Sequence, residues 1–317
     1  MELIPDDIDF EAYLEETEFK AKVQSAAHFA EDVKAELDPR APESKHPGLL
    51  MRKAKGLIHF RPSEVSVWHG FNGHRKSMFT SQVALDLAAQ GERVLIASLE
   101  MLPHKTMARM TRQGTGLHDP VPELIDRFHE WTDGKLWLFN HVGRISPEKA
   151  LGLCRYFKDE LQGTHIFLDS WMMICNSEER LDEQKQFSTD ICRMAQETGL
   201  HVHVVAHDRK PSTADGENKV PTRYDIRGSG SISDQASNIF AVWMNKSKFA
   251  RLDANPNDSE AREQPCAILK CDKQRSGAWE GSLKLWHDPS SLRFCEDRTS
   301  PVLPYKFITN STEEVTQ

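Results

Sequence analysis

Residues 67–79 read VWHGFNGHRKSMF, and the function of the chain depends on how this stretch is interpreted. It matches the phosphate-binding pattern G-x-x-x-x-G-K-[ST] at every fixed position but one. Gly70 opens the pattern and Lys76 and Ser77 close it, but Arg75 stands where the second glycine is expected. The apolar run before the loop predicts a strand, and the residues after it predict a helix. This is the setting in which such loops bind phosphate.

Each part of such a loop has a chemical task. Backbone N–H groups and the helix N-terminus hold the phosphates, the lysine reaches the terminal phosphates, and the hydroxyl binds Mg²⁺. We therefore expect ATP and Mg²⁺ as cofactors. The predicted nucleotide contacts come from the loop and the first helical residues: Gly70, Asn72, Gly73, His74, Arg75, Lys76, Ser77 and Met78. Arg75 removes the freedom of a glycine, but its charge is compatible with phosphate and Gly73 supplies part of the flexibility.

Polar side chains follow three further apolar runs at the point where each run ends. Glu100 follows VLIASL, Asp169 ends HIFLD and His207 follows HVHVVA. In an open parallel sheet the ligand crevice lies at the carboxyl ends of the strands, so we expect these side chains beside the loop. A carboxylate such as Glu100 can orient and deprotonate an attacking water. Asp169 and Ser77 suit the Mg²⁺ side of such a site.

Two other interpretations of these residues stay open. A single glutamate at a strand end is often only solvated. His201, His203 and His207 share one strand face by alternation, which also fits a metal site, although no carboxylate or cysteine partner is evident. A single polar group facing the nucleotide is the simpler use of His207.

Apolar runs alternate with helical stretches along the main part of the chain. This alternation predicts an α/β fold with a mostly parallel sheet covered by helices on both faces. Seven runs are predicted strands: EVSVWHG, RVLIASLE, KLWLFN, HIFLDSW, HVHVVAH, NIFAVWMN and CAILKC. The region through RSGAWEG predicts instead a C-terminal β-hairpin.

The chain divides into four predicted parts. Residues 1–37 have apolar side chains at helical spacing and predict an acidic helical arm, packed on its own domain or on a neighbouring subunit. Residues 38–48 contain three prolines and predict a linker. Residues 49–298 form the predicted ATPase domain, and residues 299–317 a flexible tail.

Charge and composition leave most of these possibilities open. Of the 317 residues, 48 are acidic and 40 basic, a net charge of −8. Residues 1–45 contain 13 acids and 5 bases, so the remaining 35 acids and 35 bases balance, and nucleic-acid binding by the main domain is not disfavoured. No run of 18 apolar residues and no secretory signal is present, so we expect a cytoplasmic protein with no membrane partner. The six cysteines show no metal-ligand or disulfide spacing.

Several segments together resemble the RecA-like motor domain of replicative ring helicases of the DnaB and Twinkle type, especially phage versions. The resemblance rests on GFNGHRKS, ASLEM, IFLDS, VVAHDRKP, DIRGSGSISDQASNIFAVWMN and KCDKQRSGAWEG, across most of the chain. It implies a hexamer with nucleotide between subunits, 5′→3′ movement on single-stranded DNA, and a bacterial cell, with a phage or prophage origin.

The resemblance also implies individual roles. Glu100 would be the catalytic base, Asp169 the Mg²⁺-side carboxylate and His207 the sensor of the γ-phosphate. Lys273 and Arg275 would enter a neighbour's site as an arginine finger, which stabilises transition-state charge. Three further residues would lie at or near a central DNA channel: Arg227, Gly228 and Ser229.

The long segment after His207 also predicts DNA contacts, although less sharply. Residues 208–226 read DRKPSTADGENKVPTRYDI, and a loop of this length in a compact domain is usually functional or disordered. Its acids and bases are mixed, but six copies around a pore would suffice to follow a phosphate backbone without base-specific contacts. The basic candidates are Lys210, Lys219, Arg223 and Arg227.

Two departures from the helicase pattern leave alternatives open. Arg75 stands where the family has a glycine, so the rate at which this chain turns over ATP is open. The N-terminal region has no zinc-binding cysteines and no room for a primase or a large helical domain, so a separate primase, loader or polymerase partner is expected. Besides a helicase, the sequence is compatible with a RecA-like DNA-dependent ATPase that does not unwind, or with a hydrolysis-deficient DNA-binding or assembly module.

Overall fold

The computed structural model describes residues 25–36, 46–175, 181–211, 214–228, 230–299 and 302–308. The chain divides into two units, Met1–Lys45 and His46–Gln317. In the first, a 3₁₀ turn at Ala26–Phe29 is followed by helix α1 at Ala30–Glu36. The remainder of the predicted arm and most of the predicted linker lie outside the described residues.

The last residues assigned to the linker belong instead to the second unit. Gly48 forms a β-bridge with His59, and the next residue, Leu49, is buried. The main domain therefore begins slightly earlier than the prolines indicated.

Nine strands form one mixed sheet in the order β3-β2-β4-β5-β1-β6-β7-β8-β9. Every pairing from β3 to β6 is parallel, and those from β6 to β9 are antiparallel. All seven predicted strands and the predicted hairpin are confirmed, whereas the short β9 was not predicted. The strands are β1 Val65–His69, β2 Val94–Ser98, β3 Leu136–Leu138, β4 His165–Asp169, β5 His201–Val205, β6 Asn238–Met244, β7 Ala267–Gln274, β8 Gly281–Asp288 and β9 Arg293–Cys295.

Helices cover both faces of the parallel part. They are α2 Lys76–Ala89, α3 Pro103–Thr115, α4 Pro122–Thr132, α5 Pro147–Leu161, α6 Leu181–Thr198, α7 Ser231–Gln235, α8 Lys246–Ala254 and α9 Ser259–Glu263. Phe79, Met110 and Phe128 place α2, α3 and α4 in one apolar cluster. Phe157 and Phe187 place α5 and α6 in a second cluster. Each such side chain contributes about 1.5–3 kcal/mol on burial, which is why the central strands read as continuous apolar runs.

The segment after residue 299 is not a flexible tail throughout. Tyr305 is buried, its hydroxyl donates to Asp86 Oδ1 at 2.6 Å, and its ring stacks on Trp131 at 5.9 Å. The backbone N–H of Tyr305 also donates to the carbonyl of Gly114. Residues 302–308 are thus part of the domain, and the predicted flexibility is wrong for them.

Three buried histidines pack together on one sheet face near the start of the parallel strands. His165 Nδ1 lies 3.2 Å from His203 Nε2, and His201 Nε2 lies 2.8 Å from Ser66 Oγ. Burial lowers the pKa of all three below the ordinary value, so they are neutral. In the part of the chain that the structure describes, no three His, Cys, Asp or Glu side chains are placed to hold a metal ion. The same part contains no helix long and apolar enough to cross a membrane.

Candidate nucleotide-binding site

The loop between β1 and α2 has the backbone that its sequence pattern requires, including the position without glycine. Gly73 has φ +76°, and a Cβ on Gly70 would lie 2.3 Å from the carbonyl oxygen of Val242. Arg75 adopts φ +58° and ψ +30°, the left-handed conformation that glycine usually supplies. Holding a non-glycine residue there costs about 1–2 kcal/mol. The fold therefore accepts that strain to keep the loop geometry.

The Arg75 side chain extends towards the hairpin strand β8 and helix α8. Its Nη1 lies 2.7 Å from His287 Nδ1, and its Cζ lies 5.9 Å from the centroid of the Phe249 ring. Burial, and then the Arg75 charge, lower the pKa of His287 to about 4, so that ring is neutral and accepts the hydrogen bond. Arg75 is thus anchored on elements outside the loop.

Lys76 is buried at the first position of α2. Its Nζ donates to the carbonyl oxygens of Gly70 at 2.9 Å and Phe71 at 3.1 Å. Burial lowers its pKa to about 8, although nearby carboxylates, Asp208 first among them, oppose this shift. Lys76 therefore remains mostly protonated at neutral pH and lies within the loop it is expected to serve.

Asp169 at the end of β4 is buried beside Ser77. Burial raises the pKa of Asp169, while a hydrogen bond with Ser77 opposes that shift. A buried carboxylate next to a hydroxyl at a helix N-terminus is the pairing expected on the metal side of a phosphate site. The structure brings these two predicted residues together.

Glu100 forms a hydrogen-bonded group with two neighbours. Its Oε1 accepts from Ser170 Oγ at 2.5 Å and lies 3.5 Å from His207 Nε2. The contact with His207 lowers the pKa of Glu100 to about 2; burial opposes the shift and Ser170 adds to it. Glu100 is therefore ionised at neutral pH. In the structure Glu100 is thus held by two side-chain contacts, and His207 lies beside Glu100 and not with His201 and His203.

A cleft of about 530 Å³ connects these groups. Its lining includes most of the predicted loop residues together with Glu100 and His207, and also two residues that the sequence did not reveal, Arg109 and Met172. The loop residues that line it are Asn72, Gly73, Arg75, Lys76, Ser77 and Met78. The cleft can thus hold a phosphate chain between a lysine, a helix N-terminus and an ionised carboxylate.

Arg109 and Ser170 are the main residues that sequence reasoning missed. Arg109 lies on α3, donates to Ser81 Oγ at 3.0 Å, and is close enough to Asp169 for the two charges to interact. The only feature of the sequence that pointed to Arg109 was its position on the helix that follows Glu100. Ser170 directly follows the strand residue Asp169, a position at which a hydroxyl has no distinctive pattern.

His74 belongs to the loop, but its side chain is turned away from the cleft. It is fully buried, and its Nδ1 accepts a hydrogen bond from the backbone N–H of Met244 at 3.0 Å. Burial lowers its pKa to about 4. Its imidazole therefore braces the loop against β6, and the nucleotide contact predicted at His74 would come from its backbone.

A second histidine, His69 at the end of β1, supports the loop. His69 Nδ1 lies 2.8 Å from Asp208 Oδ1, and His69 Nε2 lies 3.8 Å from Asp272 Oδ2. Burial alone would lower the pKa of His69, but the two carboxylates outweigh it and raise the pKa. The backbone N–H of Asp208 also donates to the carbonyl of Gly70. This charged triplet ties β1 and β7 to the loop.

The family model of the DnaB-like helicase C terminal domain matches residues 55–296 of the chain, which is well over half of it. The chain belongs to the DnaB-like helicase family. The resemblance in the sequence to the motor domain of replicative ring helicases is therefore confirmed.

Two solved structures share the fold of this DnaB-like domain. One of them, an ATPase domain, is 16% identical, with a TM-score of 0.71 over 87% of this chain and 100% of that chain. The other, a DnaB-like replicative helicase studied for its interactions with primase, is also 16% identical, with a TM-score of 0.68 over 90% of this chain and 71% of that chain. The predicted RecA-like α/β fold is confirmed.

In the DnaB-like domain, neither Lys273 nor Arg275 lines the cleft of its own chain. Lys273 on β7 pairs with Ile239, which pairs with Val67 in the middle of β1. The backbone N–H of Arg275 donates to the carbonyl of Ser237, whose own N–H donates to Val65 at the start of β1, so Arg275 lies at the amino edge of the sheet. Lys273 Nζ donates to the carbonyl oxygens of Ser233 and Asp234, and Arg275 Nη2 donates to that of Asp234 at 2.7 Å. Neither residue contributes to the cleft within one chain.

The predicted DNA-binding residues are distributed over the segment after β5. Arg227 lines the cleft, and its backbone N–H donates to the carbonyl of His207 at 2.9 Å. Lys210 and Lys219 are exposed. The carbonyl of Gly228 accepts from Arg209, and Ser229 lies outside the described residues. Arg223 is partly buried and begins the 3₁₀ turn Arg223–Asp225.

Proposed function

We propose that this chain hydrolyses ATP in the cleft and uses that reaction to move along single-stranded DNA as a ring-forming replicative helicase. The observation that supports this most directly is the ionised Glu100. His207 and Ser170 hold it at the cleft that Lys76 and Arg75 also line. A structural carboxylate would not need to remain partly exposed beside a phosphate loop.

The proposed chemistry follows from the charges. Lys76 balances charge on the terminal phosphates, and Glu100 orients the attacking water. A pKa of about 2 suits orientation better than early proton removal, and phosphoryl transfer with a loose transition state needs mainly positioning and charge stabilisation. His207, hydrogen-bonded to Glu100, would report on the γ-phosphate to the segment that follows it.

A magnesium ion fits the residues present. Mg²⁺ prefers one or two carboxylates supplemented by phosphate oxygens and water, so a site without three acidic ligands is adequate for it. Ser77 and the buried Asp169 would hold the ion. Burial raises the pKa of Asp169, and a bound cation would favour its ionised form. When bound, the ion neutralises charge on the phosphates.

Subunit assembly completes the proposal. Because Arg275 lies at the amino edge and neither it nor Lys273 lines the cleft of its own chain, the two would serve as an arginine finger only in a neighbour's site. A homohexamer with nucleotide at each interface provides that arrangement. In the ring, Lys210, Lys219, Arg223 and the segment 227–229 would face DNA, with 5′→3′ movement.

The partners are proposed from chemistry and from relatives. One structural neighbour was studied for its interactions with primase, so a primase, a loader or a polymerase is the kind of partner that we propose for this chain. The proposed site of action is the cytoplasm of a bacterial cell, with a phage or prophage gene as the source.

Steady-state ATP hydrolysis tests the proposal. Wild type, Lys76→Ala and the control Lys185→Ala, an exposed lysine on α6, are measured with and without single-stranded DNA. We expect DNA-stimulated turnover in wild type and control, and a loss of about 10²-fold or more in Lys76→Ala. Unwinding of a forked duplex and electron microscopy of rings then test the helicase itself.

The presence of Arg75 in the phosphate loop favours a second candidate function. If the folded wild type shows no turnover under any condition, the arginine has silenced the site and the chain is a hydrolysis-deficient DNA-binding or assembly module. DNA-stimulated turnover without unwinding by assembled protein would indicate a RecA-like ATPase used for recombination or loading.

A further inference from the structure

Tyr224 is the most exposed aromatic residue among those that the structure describes. Its side chain is 75% accessible, against 57% for Tyr156 and 47% for Phe29. It lies inside the segment that was predicted to contact DNA from its arginines and lysines alone. A single exposed aromatic ring is ordinary on a protein surface, so the case for a ligand depends on what surrounds the ring.

The backbone beneath Tyr224 is rigidly held. Thr222 and Asp225 form a capping box around the 3₁₀ turn Arg223–Asp225, with Thr222 N donating to Asp225 Oδ2 at 2.7 Å. The next residue, Ile226, is buried and forms a β-bridge with Asp208. The exposure of the ring is therefore not a consequence of a loose loop, and little conformational entropy would be lost when a ligand packs on it.

Arg223 places a positive charge on the same ring. Its Cζ lies 5.0 Å from the centroid of Tyr224, and its Nη2 donates to the tyrosine hydroxyl at 2.9 Å. Lys273 is close by, since the Arg223 charge adds to the effects of burial and Arg275 in lowering the Lys273 pKa. Asp272 and Glu280 are also near enough to act on Arg223, so the surroundings are mixed and only the ring and its arginine form a defined pair.

The turn is connected directly to the cleft. Arg209 N donates to the carbonyl of Asp225 at 2.8 Å, and Arg227 N donates to that of His207 at 2.9 Å. These two bonds and the bridge between them join the turn to the residue that contacts Glu100.

We propose that Tyr224 is a base-stacking platform for single-stranded DNA, with Arg223 on the adjacent phosphate. The proposal rests on the DNA-translocating function proposed above and adds to it a contact with the bases. Aromatic rings beside cations bind single strands in this way because every base presents a π-face, so stacking tolerates any sequence. Such stacking changes affinity on the order of five- to a hundredfold per base.

The experiment measures binding of the full chain to two fluorescent strands of equal length, with Mg²⁺ and a non-hydrolysable ATP analogue. One strand is oligothymidylate, and the other consists of abasic sites on the same backbone. The variants are Tyr224→Ala, Tyr224→Phe and Arg223→Ala. Tyr156→Ala, an exposed tyrosine on α5, is the matched control.

We expect Tyr224→Ala to weaken oligothymidylate binding about tenfold, equivalent to about 1.4 kcal/mol, and to leave binding of the abasic strand within about twofold. Tyr224→Phe and Tyr156→Ala should bind like wild type. Arg223→Ala should weaken both strands and reduce the salt dependence by about 0.7 in slope, since both strands carry phosphates.

Three outcomes would overturn the inference. An equal loss on both strands would mean that Tyr224 supports the backbone contact or the fold and does not stack. No loss on either strand would mean that the ring does not meet DNA, while the proposed translocation function stands. Failure of wild type to bind either strand would remove the DNA function itself, and the inference with it.

Discussion

At the carboxyl edge of the parallel strands, Glu100 and His207 face the cleft with 48% and 22% of their side chains exposed. At the amino edge, Glu64 and Asn238 are buried and hydrogen-bonded to each other at 2.9 Å. Glu100 and His207 retain hydrogen-bonding capacity at the cleft, whereas Glu64 and the amide nitrogen of Asn238 use theirs within the protein. Asn238 Oδ1 is the exception at the amino edge, since it is buried without a partner among the described residues. A substrate can bind only to protein groups whose hydrogen-bonding capacity is unused, whereas a buried group that already has its partners stabilises the fold.

Lys273 and Arg275 do not follow this division. Arg275 lies at the amino edge, where polar groups are otherwise structural, and Lys273 lies nearer the middle of the sheet, but both side chains donate only to main-chain carbonyls in the part of the chain that the structure describes. The Asp234 charge acts on Lys273, but neither side chain hydrogen-bonds to a carboxylate there, so each retains donors for a ligand outside its own chain. The comparison therefore predicts that the two edges meet across a subunit interface.

The largest expected effect tests that interface. Arg275→Ala should lower ATP turnover by about 10³–10⁵-fold with little change in nucleotide affinity, since a finger acts on the transition state. The exposed Arg127→Ala on α4 is the control. Turnover and binding of a fluorescent ATP analogue are measured for each variant.

Mixing the variants makes the test specific. Arg275→Ala and Glu100→Ala are each inactive, but a mixed ring contains interfaces in which an intact Arg275 meets an intact Glu100. We expect partial recovery of turnover on mixing. If rings shown to contain both variants stay inactive, Arg275 does not act in a neighbour's site and the amino edge is structural throughout.

The strand-end residues could be predicted because parallel strands bring their carboxyl ends to one edge. Glu100, Asp169 and His207 each followed an apolar run, and no knowledge of packing was needed to bring them together. The location of Lys273 required the direction of β7, which the apolar pattern of a strand does not contain. Its position outside the cleft became evident only from the register.

Other features depended on contacts between distant segments and left no local pattern. Ser170 matters because β2 and β4 are neighbours, and Tyr305 is buried because α2 offers it Asp86. The conformation of Arg75 was the hardest to predict, since a positive φ at an arginine contradicts its own preference. The surrounding fold, and not the residue, determines that backbone.

The second prediction concerns stability at the amino edge. Glu64→Ala should lower the free energy of unfolding by about 1–3 kcal/mol, because the buried amide of Asn238 loses one of its two acceptors and the hydroxyl of Ser276 loses its own. Nucleotide affinity should not change. Urea denaturation and nucleotide binding are compared with Glu123→Ala, an exposed glutamate on α4. A loss of nucleotide affinity at unchanged stability would show that this edge contributes to the site.

The third prediction uses the opposite protonation of buried histidines. His69 has a raised pKa, so the stability it contributes is complete below its ordinary value of 6.5 and is lost as the pH rises through its folded value. His201 and His203 have lowered pKa values, so their contribution falls as the pH decreases below 6.5.

His69→Asn separates these effects. Between pH 6.5 and 8.5 the stability of wild type should fall more than that of His69→Asn, since only the wild type loses a proton that the folded state holds more tightly than the unfolded chain. Urea midpoints across this range, with His129→Asn on the exposed face of α4 as the control, provide the measurement. Parallel curves for wild type and His69→Asn would mean that the histidine beneath the loop is neutral.

The smallest effect is expected at the residue that departs most from the pattern. Arg75→Gly should leave ATP turnover intact or raise it, and change the free energy of unfolding by less than about 1 kcal/mol, since relief of the left-handed strain offsets the added freedom of the unfolded chain and the lost contact with His287. His287→Ala removes the same contact while leaving the loop backbone unchanged. Turnover and urea midpoints are measured for both. A loss of turnover in Arg75→Gly but not in His287→Ala would show that the guanidinium itself acts on the nucleotide.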